Sequence, residues 1–149
     1  MLLRNLLGRI KKFYATQPLF NKLVPGITWF FILLLLLCLP GSSLPDTDSW
    51  LQKIYIDKWL HAGLFGLLSF LFLVPVLAAN LPAWQKRFYV GLVVLFTSLW
   101  GLATEYIQHY YVTGRSFDSF DWMADTIGAL IALAPAYYLF NKRFSNPAR

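Results

Sequence analysis

Four apolar stretches separated by short polar segments restrict what this chain can fold into more than any other feature of its sequence. Three of them, at 59–79, 88–108 and 122–140, have about the 20 residues that a helix needs to cross a bilayer. The first, at 25–39, would span only about 22 Å, which is short for a hydrocarbon core of about 30 Å. Only 13% of the residues are charged, about half the fraction in a soluble domain. The sequence therefore predicts an all-α polytopic membrane protein, with a four-helix transmembrane bundle in a single domain over 1–149.

The segment 1–22, before the first apolar stretch, is basic and amphipathic. Its apolar side chains recur every three or four residues, and Arg and Lys occupy positions between them. This pattern is typical of an interfacial helix that lies among lipid headgroups, and a disordered basic tail is the alternative. The basic segment, the apolar run at 25–39 and the following 40–43 also resemble a signal peptide, but no clear A-x-A cleavage site follows.

The basic residues predict the orientation of the spans. Ten of the 13 Lys and Arg precede the first span, separate the second from the third, or follow the fourth. Only Lys53, Lys58 and Arg115 fall on the other side of the membrane. Because cytoplasmic loops carry the excess of Lys and Arg, we expect both termini in the cytoplasm, with 46–57 and 110–120 facing outward. The net charge of +6 is thus explained by topology, and no nucleic-acid partner is expected.

The acidic residues and histidines are segregated more strongly than topology requires, since Asp and Glu contribute little to orientation. All seven acids and both histidines lie on the predicted outer side or at the outer ends of helices: Asp46, Asp48, Asp57, His61, Glu105, His109, Asp118, Asp121 and Asp125. A function at the outer face of the membrane would account for this distribution.

Three helix ends and one loop supply the candidate site. The candidate ligand-binding residues are Asp57, Lys58 and His61 at the second span, Glu105 and Gln108 at the third, Arg115 in the next loop, and Asp118, Asp121 and Asp125 at the fourth. His61, Glu105 and Asp125 lie about one turn inside their helices, where ionisable groups usually face a bundle interior or a water-filled cavity. We predict that one outer cavity is lined by five of these residues, with Asp125 beneath them: His61, Glu105, Gln108, Arg115 and Asp121. A purely structural ion-pair cluster is the alternative, and Asp118 also suits a helix N-cap.

Small residues predict which helices pack closely. On the fourth span they recur at every fourth position: Ala124, Gly128, Ala132 and Ala136. Such a ridge lets a neighbouring helix approach closely, and Ala62 and Gly66 form a matching pair on the second span. Close packing there would draw Asp121 and Asp125 into the bundle. On the third span, Glu105 and Gln108 extend a stripe that begins at Ser98 and Gly101.

Glu105 and Arg115 are expected to be coupled. Glu105 is the acid of the third span and lies about a turn inside its end. A buried carboxylate needs a partner, and Arg115 in the short following loop has a fork of donors suited to a carboxylate. We expect the coupling to be direct or to run through a bound ligand.

In chain order, these residues resemble the VanZ-like family of small bacterial membrane proteins over about residues 27–140. The similarity consists of Asp57-Lys58-x-x-His61, Glu105-x-x-Gln108, Arg115, Asp118 and Asp121-x-x-x-Asp125-x-x-Gly128. The family pattern often has Asn at the position of Asp125 and Gly at that of Ala132, and it does not include the amphipathic segment. The resemblance implies a multi-pass protein of the bacterial cytoplasmic (inner) membrane, and the family's namesake is linked to resistance to the lipoglycopeptide antibiotic teicoplanin.

Two functions fit these observations. The first is a non-enzymatic cell-envelope protein whose outward-facing polar pocket binds a lipid headgroup, a cell-wall precursor or an amphiphilic antibiotic, with Arg115 and Lys58 binding phosphate or carboxylate. The second is a small intramembrane enzyme, a hydrolase or transferase, that acts on a lipid-linked substrate at the outer leaflet. Its candidate catalytic residues are His61, Glu105 and Asp121.

Metal, cofactor and oligomeric state stay open at this point. The excess of acids would suit a divalent cation, but the chain contains no compact H-E-x-x-H motif. A transporter is disfavoured because no ionisable residue lies near the middle of a span. Membrane lipid is the expected partner, and an oligomer is compatible with the sequence.

Overall fold

The computed structural model describes residues 2–39 and 56–140, and these residues form helices without a β-strand. In chain order the helices are α1 (Leu2–Thr16), α2 (Leu19–Leu37), α3 (Ile56–Ala78), α4 (Ala83–Tyr111), α5 (Ser119–Ile131) and α6 (Leu133–Phe140). Four segments are long and apolar enough to cross a membrane: α2, α3, α4, and α5 with α6 taken together. The chain is therefore an all-α multi-pass membrane protein, as predicted.

The first span begins six residues before the expected start at residue 25. Pro18, with φ −62° and ψ 157°, separates α1 from α2, and α2 then runs for 19 residues from Leu19. Pro25 was expected to start the span, but it lies inside the helix. At 1.5 Å per residue, α2 is about 28 Å long, close to the thickness of the hydrocarbon core, and its 19 residues are within the range of transmembrane helices.

The N-terminal amphipathic helix is present as α1, and part of it packs against the bundle. Tyr14 is buried in a cluster with Val74 of α3 and Leu139 of α6. Because an amphipathic helix has one apolar face, this contact covers the C-terminal end of that face with protein.

Helix α3 lies at the centre of the bundle and contacts each of the other five described helices. Against α2 it buries Phe65 and Leu68 with Leu33 and Leu37. A hydrogen bond from the Trp29 indole N–H of α2 to the Leu64 carbonyl of α3, at 3.0 Å, adds a polar tie to this contact. The most extensive contact of α3 is with α5.

The contact between α3 and α5 is formed by the small residues that the sequence pointed to. Ala124, Gly128, Ala132 and Ala136 are all buried. A Cβ atom on Gly128 would overlap the Ala62 carbonyl, and one on Gly66 would lie 3.1 Å from the Gly128 carbonyl oxygen. The two backbones thus touch, which is possible only where side chains are very small. This contact brings the polar starts of both helices side by side.

Candidate functional site

Three helix ends meet at one end of the bundle, which we call the polar end: the start of α3, the end of α4 and the start of α5. Asp118 is the N-cap of α5, as predicted, and its carboxylate accepts the Phe120 backbone N–H at 2.8 Å. Helix α3 begins at Ile56, three residues before the expected start, so Asp57 and Lys58 belong to its first turn. The polar side chains here form two groups.

The first group, the rim triad, consists of Asp57, Asp118 and Asp121 around the ammonium group of Lys58. The Lys58 Nζ atom lies 2.9 Å from Asp57 Oδ2, 2.5 Å from Asp118 Oδ2 and 2.7 Å from Asp121 Oδ1. Partial burial acts against the charged form of Asp118. The hydrogen bonds from Lys58 and from the Phe120 N–H outweigh this effect and lower the pKa of Asp118 below its usual value. A single cation inside the triad therefore stabilises three carboxylates.

The second group, the inner triad, consists of His61, Glu105 and Asp125, and lies deeper in the bundle. Their side chains come from α3, α4 and α5, and the three residues are 5%, 1% and 0% exposed. His61 Nδ1 is 3.0 Å from Asp125 Oδ1, and Glu105 Oε2 accepts the Asp118 backbone N–H at 3.0 Å. One nitrogen or oxygen atom of each residue lies within 4.8 Å of those of the other two.

Each carboxylate of the inner triad has one oxygen without a partner. Glu105 Oε1 and Asp125 Oδ2 are buried, and no described residue donates a hydrogen bond to them. A buried acceptor in this state costs about 1–3 kcal/mol, and more if it is charged. The described part of the chain thus supplies the inner triad with too few hydrogen-bond donors or too little positive charge.

Gly101 of α4 provides the space that the Asp125 side chain occupies. A Cβ atom on Gly101 would lie 2.6 Å from Asp125 Oδ2 and 2.9 Å from Asp125 Cβ. The Thr104 hydroxyl donates to the Gly101 carbonyl at 2.8 Å and so remains within α4. Gly101 was expected on the polar stripe of the third span, but it was not assigned to the site. Its position one helical turn before Glu105 is the sequence feature that could have identified it.

Two of the predicted site residues do not join either triad. The Gln108 amide donates to the Leu37 carbonyl at 3.1 Å, so Gln108 ties α4 to the end of α2. Arg115 is partly buried, and its Nε atom has no hydrogen-bond partner among the described residues.

The direct form of the expected coupling between Glu105 and Arg115 is not present. All ion pairs within the described part of the chain involve Lys58 or His61. Glu105 instead accepts the backbone N–H of the α5 N-cap residue, which lies closer than the Arg115 side chain. Coupling through a ligand stays a prediction. Asp46, Asp48 and Lys53 lie outside the described residues.

Comparison with known proteins gives a family and nothing finer. The VanZ/LLP1 family model matches residues 2–141. The match includes α1, so the amphipathic segment is part of the family pattern, contrary to the expectation that the similarity begins near residue 27. No curated protein and no solved structure matches the chain. Since the match covers nearly the whole sequence, the chain belongs to the VanZ/LLP1 family of membrane proteins.

Proposed function

We propose that the polar end binds the polar part of an amphiphilic ligand: a lipid headgroup, a cell-wall precursor or a lipoglycopeptide-type antibiotic. The observation that supports this most strongly is the pair of buried, unpartnered oxygens, Glu105 Oε1 and Asp125 Oδ2. Sugar hydroxyls or an amine of the ligand would donate to these oxygens and remove their cost.

The basic residues have different roles in this proposal. Lys58 was expected to bind a phosphate or carboxylate of the ligand, but its ammonium group is already held by three carboxylates. Lys58 therefore organises the rim triad. Arg115 pairs with no acid among the described residues and keeps its donors for an anionic group of the ligand.

The test is to identify what the purified protein binds. Native mass spectrometry of the detergent-solubilised protein would detect lipids or precursors that remain attached, and titration with teicoplanin would test the antibiotic. We expect Glu105→Gln and Asp125→Asn to weaken binding about tenfold or more, which corresponds to about 1.4 kcal/mol. Ser69→Ala is the control, because it removes a hydrogen bond between α3 and α5 away from the triads. Equal binding by all variants would contradict the proposal.

A second function, an intramembrane hydrolase or transferase, is favoured by the contact between His61 Nδ1 and Asp125 Oδ1 at 3.0 Å. A carboxylate that orients an imidazole in this way is a common arrangement for a general base. Incubation with a lipid-linked precursor would distinguish the two functions. An enzyme would form product with wild-type protein and none with His61→Gln, whereas a binding protein would retain the precursor intact.

We also propose that the protein resides in the bacterial cytoplasmic membrane with both termini inside and the polar end outward, as the distribution of basic residues favours. Single cysteines would test this in a background without Cys38. Thr113 follows α4 at the polar end, and Asn80 lies between α3 and α4 at the opposite end; both are exposed. In intact cells, a membrane-impermeant thiol reagent should label Thr113→Cys and not Asn80→Cys. The reverse result would invert the topology.

A further inference from the structure

We propose that the inner triad is a binding site for one divalent transition-metal ion, such as Zn²⁺ or Mn²⁺, with His61, Glu105 and Asp125 as its ligands. The proposal rests on the proposed function and changes one contact in it: the metal ion, in place of a hydroxyl or amine of the ligand, binds the carboxylates of Glu105 and Asp125, and the ligand binds the metal. It also narrows the class of ligand to one that carries a phosphate or carboxylate.

The rim triad and the inner triad differ in whether a basic residue compensates their negative charge. The rim triad contains three carboxylates and the ammonium group of Lys58 lies among them. The inner triad contains two carboxylates and an imidazole, and no Lys or Arg of the described segments forms an ion pair with them. Both carboxylates are almost completely buried, where uncompensated charge is most costly. A bound cation would compensate the negative charge of the inner triad, as the ammonium group of Lys58 compensates that of the rim triad.

Two buried carboxylate oxygens of the inner triad lack a hydrogen-bond partner. Glu105 Oε1 and Asp125 Oδ2 accept no hydrogen bond from any described residue, so their lone pairs are unused. Metal ions bind such oxygens, whereas a purely structural ion-pair cluster would have satisfied them. The group is thus more than a set of neighbouring acids.

The donor set and its spacing also fit a transition metal. Imidazole nitrogen with carboxylate oxygen is a common combination for Zn²⁺, Mn²⁺ and Fe²⁺, whereas Mg²⁺ and Ca²⁺ prefer oxygen alone. The donor atoms lie within 4.8 Å of one another. Three ligands at about 2.0–2.2 Å from one metal lie about 3–4 Å from one another, so the side chains would close around the ion by at most about 1–2 Å.

The contact between His61 and Asp125 is compatible with this role. An ion bound between the two residues would replace this hydrogen bond, because His61 Nδ1 and Asp125 Oδ1 are 3.0 Å apart, the separation of two ligands that bind one metal at about 2.1 Å and at about a right angle. The imidazole would then carry its proton on Nε2. Three protein ligands leave at least one coordination position for a ligand or water.

A metal ion would also explain how an acidic site can accept an anionic group. Among residues 56–140, five carboxylates at the polar end face two basic residues, Lys58 and Arg115, which gives a formal charge of −3 with His61 neutral. That charge would repel a phosphate. A divalent cation reduces it to −1 and offers a direct bond to a phosphate or carboxylate oxygen, beside the donors of Arg115.

The experiment uses the full-length protein in detergent, stripped with EDTA and dialysed against Zn²⁺ or Mn²⁺ alone. Metal bound per chain is measured by plasma mass spectrometry. We expect about one equivalent for wild type and for Ser69→Ala, and a loss of tenfold or more in affinity for Glu105→Gln and Asp125→Asn. Wild-type protein with no bound metal, or Glu105→Gln with undiminished metal, would overturn the proposal.

A second measurement guards against misfolded variants and separates this proposal from the proposed function. Co²⁺ added to the stripped wild-type protein should produce visible absorption bands that Zn²⁺ removes, and their absence would count against the site. Native mass spectrometry of the wild type, both metal-stripped and with Zn²⁺ restored, then tests ligand binding separately. Metal without ligand would refute the proposed function alone, whereas ligand without metal would refute the metal site alone.

Discussion

The rim triad and the inner triad both lie at the polar end of the bundle, and they differ in how their negative charge is balanced. Asp57, Asp118 and Asp121 share the ammonium group of Lys58, which this protein supplies itself. The inner triad has a single internal hydrogen bond, from His61 to Asp125, and two buried oxygens that receive no hydrogen bond from residues 2–39 or 56–140. An ion-pair cluster with a structural role explains the rim. It does not explain the inner triad, where the fold leaves a requirement that a ligand or metal would meet.

Both triads depend on the close contact between α3 and α5, and the largest expected effect comes from breaking that contact. Gly128→Ala would place a Cβ on the Ala62 carbonyl, which is backbone and cannot rotate away. We expect a loss of about 3 kcal/mol in the free energy of unfolding, at the upper end for overpacking, measured by SDS titration in mixed micelles.

Gly63→Ala is the matched control, because a Cβ at Gly63 on α3 would meet no atom within 4 Å. This variant should unfold close to wild type. If Gly128→Ala is as stable as Gly63→Ala, the backbone contact between α3 and α5 does not hold the polar end together.

Removal of the Lys58 ammonium group should leave the rim triad, like the inner triad, with carboxylates whose negative charge is not compensated. Lys58→Met leaves three carboxylates without compensation, and we expect a loss of about 2 kcal/mol, less than for a fully buried pair because the rim is partly exposed. The same variant should bind a second equivalent of divalent metal, since the donor atoms of the rim triad also lie within 4.8 Å of one another.

Lys86→Met is the control for this change. Lys86 donates to the Leu77 carbonyl at the other end of the bundle and touches no acid among the described residues. It should cost less stability and add no metal. If Lys58→Met also binds no additional metal, an internal cation is not what distinguishes the two triads.

A milder change should disturb the inner triad and leave the rim in place. Gly101→Ala would push the Asp125 carboxylate away from its position, because the added Cβ would lie 2.6 Å from Asp125 Oδ2. We expect about 1 kcal/mol less stability and a clear loss of metal or ligand binding, measured by thermal unfolding and by titration. Gly91→Ala on the same helix meets no atom within 4 Å and should behave like wild type. Unchanged binding in Gly101→Ala would mean that the position of Asp125 is unimportant for the site.

The sequence predicted the helices and the small-residue contact well, because these depend on length, composition and helical period. The spacing of Gly128 and Ala132 shows that they share a face, and the Asp118 N-cap follows from local chain geometry. Which side chains contact each other depends on the distances between helices, and the helical period of the sequence does not give those distances. Thus Lys58 was expected to bind a phosphate or carboxylate of a ligand, whereas in the structure its ammonium group contacts three acids.

The same limit applies to residues that connect helices distant in sequence. The last carbonyls of a helix lack intrahelical donors, and Gln108 satisfies one at the end of α2. Nothing local to Gln108 distinguishes this partner from His61 and Glu105, with which it was expected to share a cavity. For Gly101, the sequence shows a glycine on a polar face, but only the packing of α4 on α5 shows that Asp125 fills the space.

The smallest expected effect concerns Arg115, and it tests whether the inner triad acts with a ligand. In the structure Glu105 and Arg115 do not pair, since Glu105 accepts the Asp118 N–H and Arg115 Nε has no partner among the described residues. Glu105→Gln and Arg115→Gln should therefore have additive effects on the free energy of unfolding of the ligand-free protein. If one ligand contacts both residues, the double variant should lose about 0.5–1 kcal/mol less binding free energy than the two single losses combined. The measurement is a double-mutant cycle by thermal unfolding and by titration of the co-purified lipid or teicoplanin, with equal membrane expression. Non-additive unfolding would instead mean that the two residues interact within the protein itself. Additive binding would mean that Arg115 and the inner triad belong to separate sites, because a shared ligand makes the loss of one contact depend on the presence of the other.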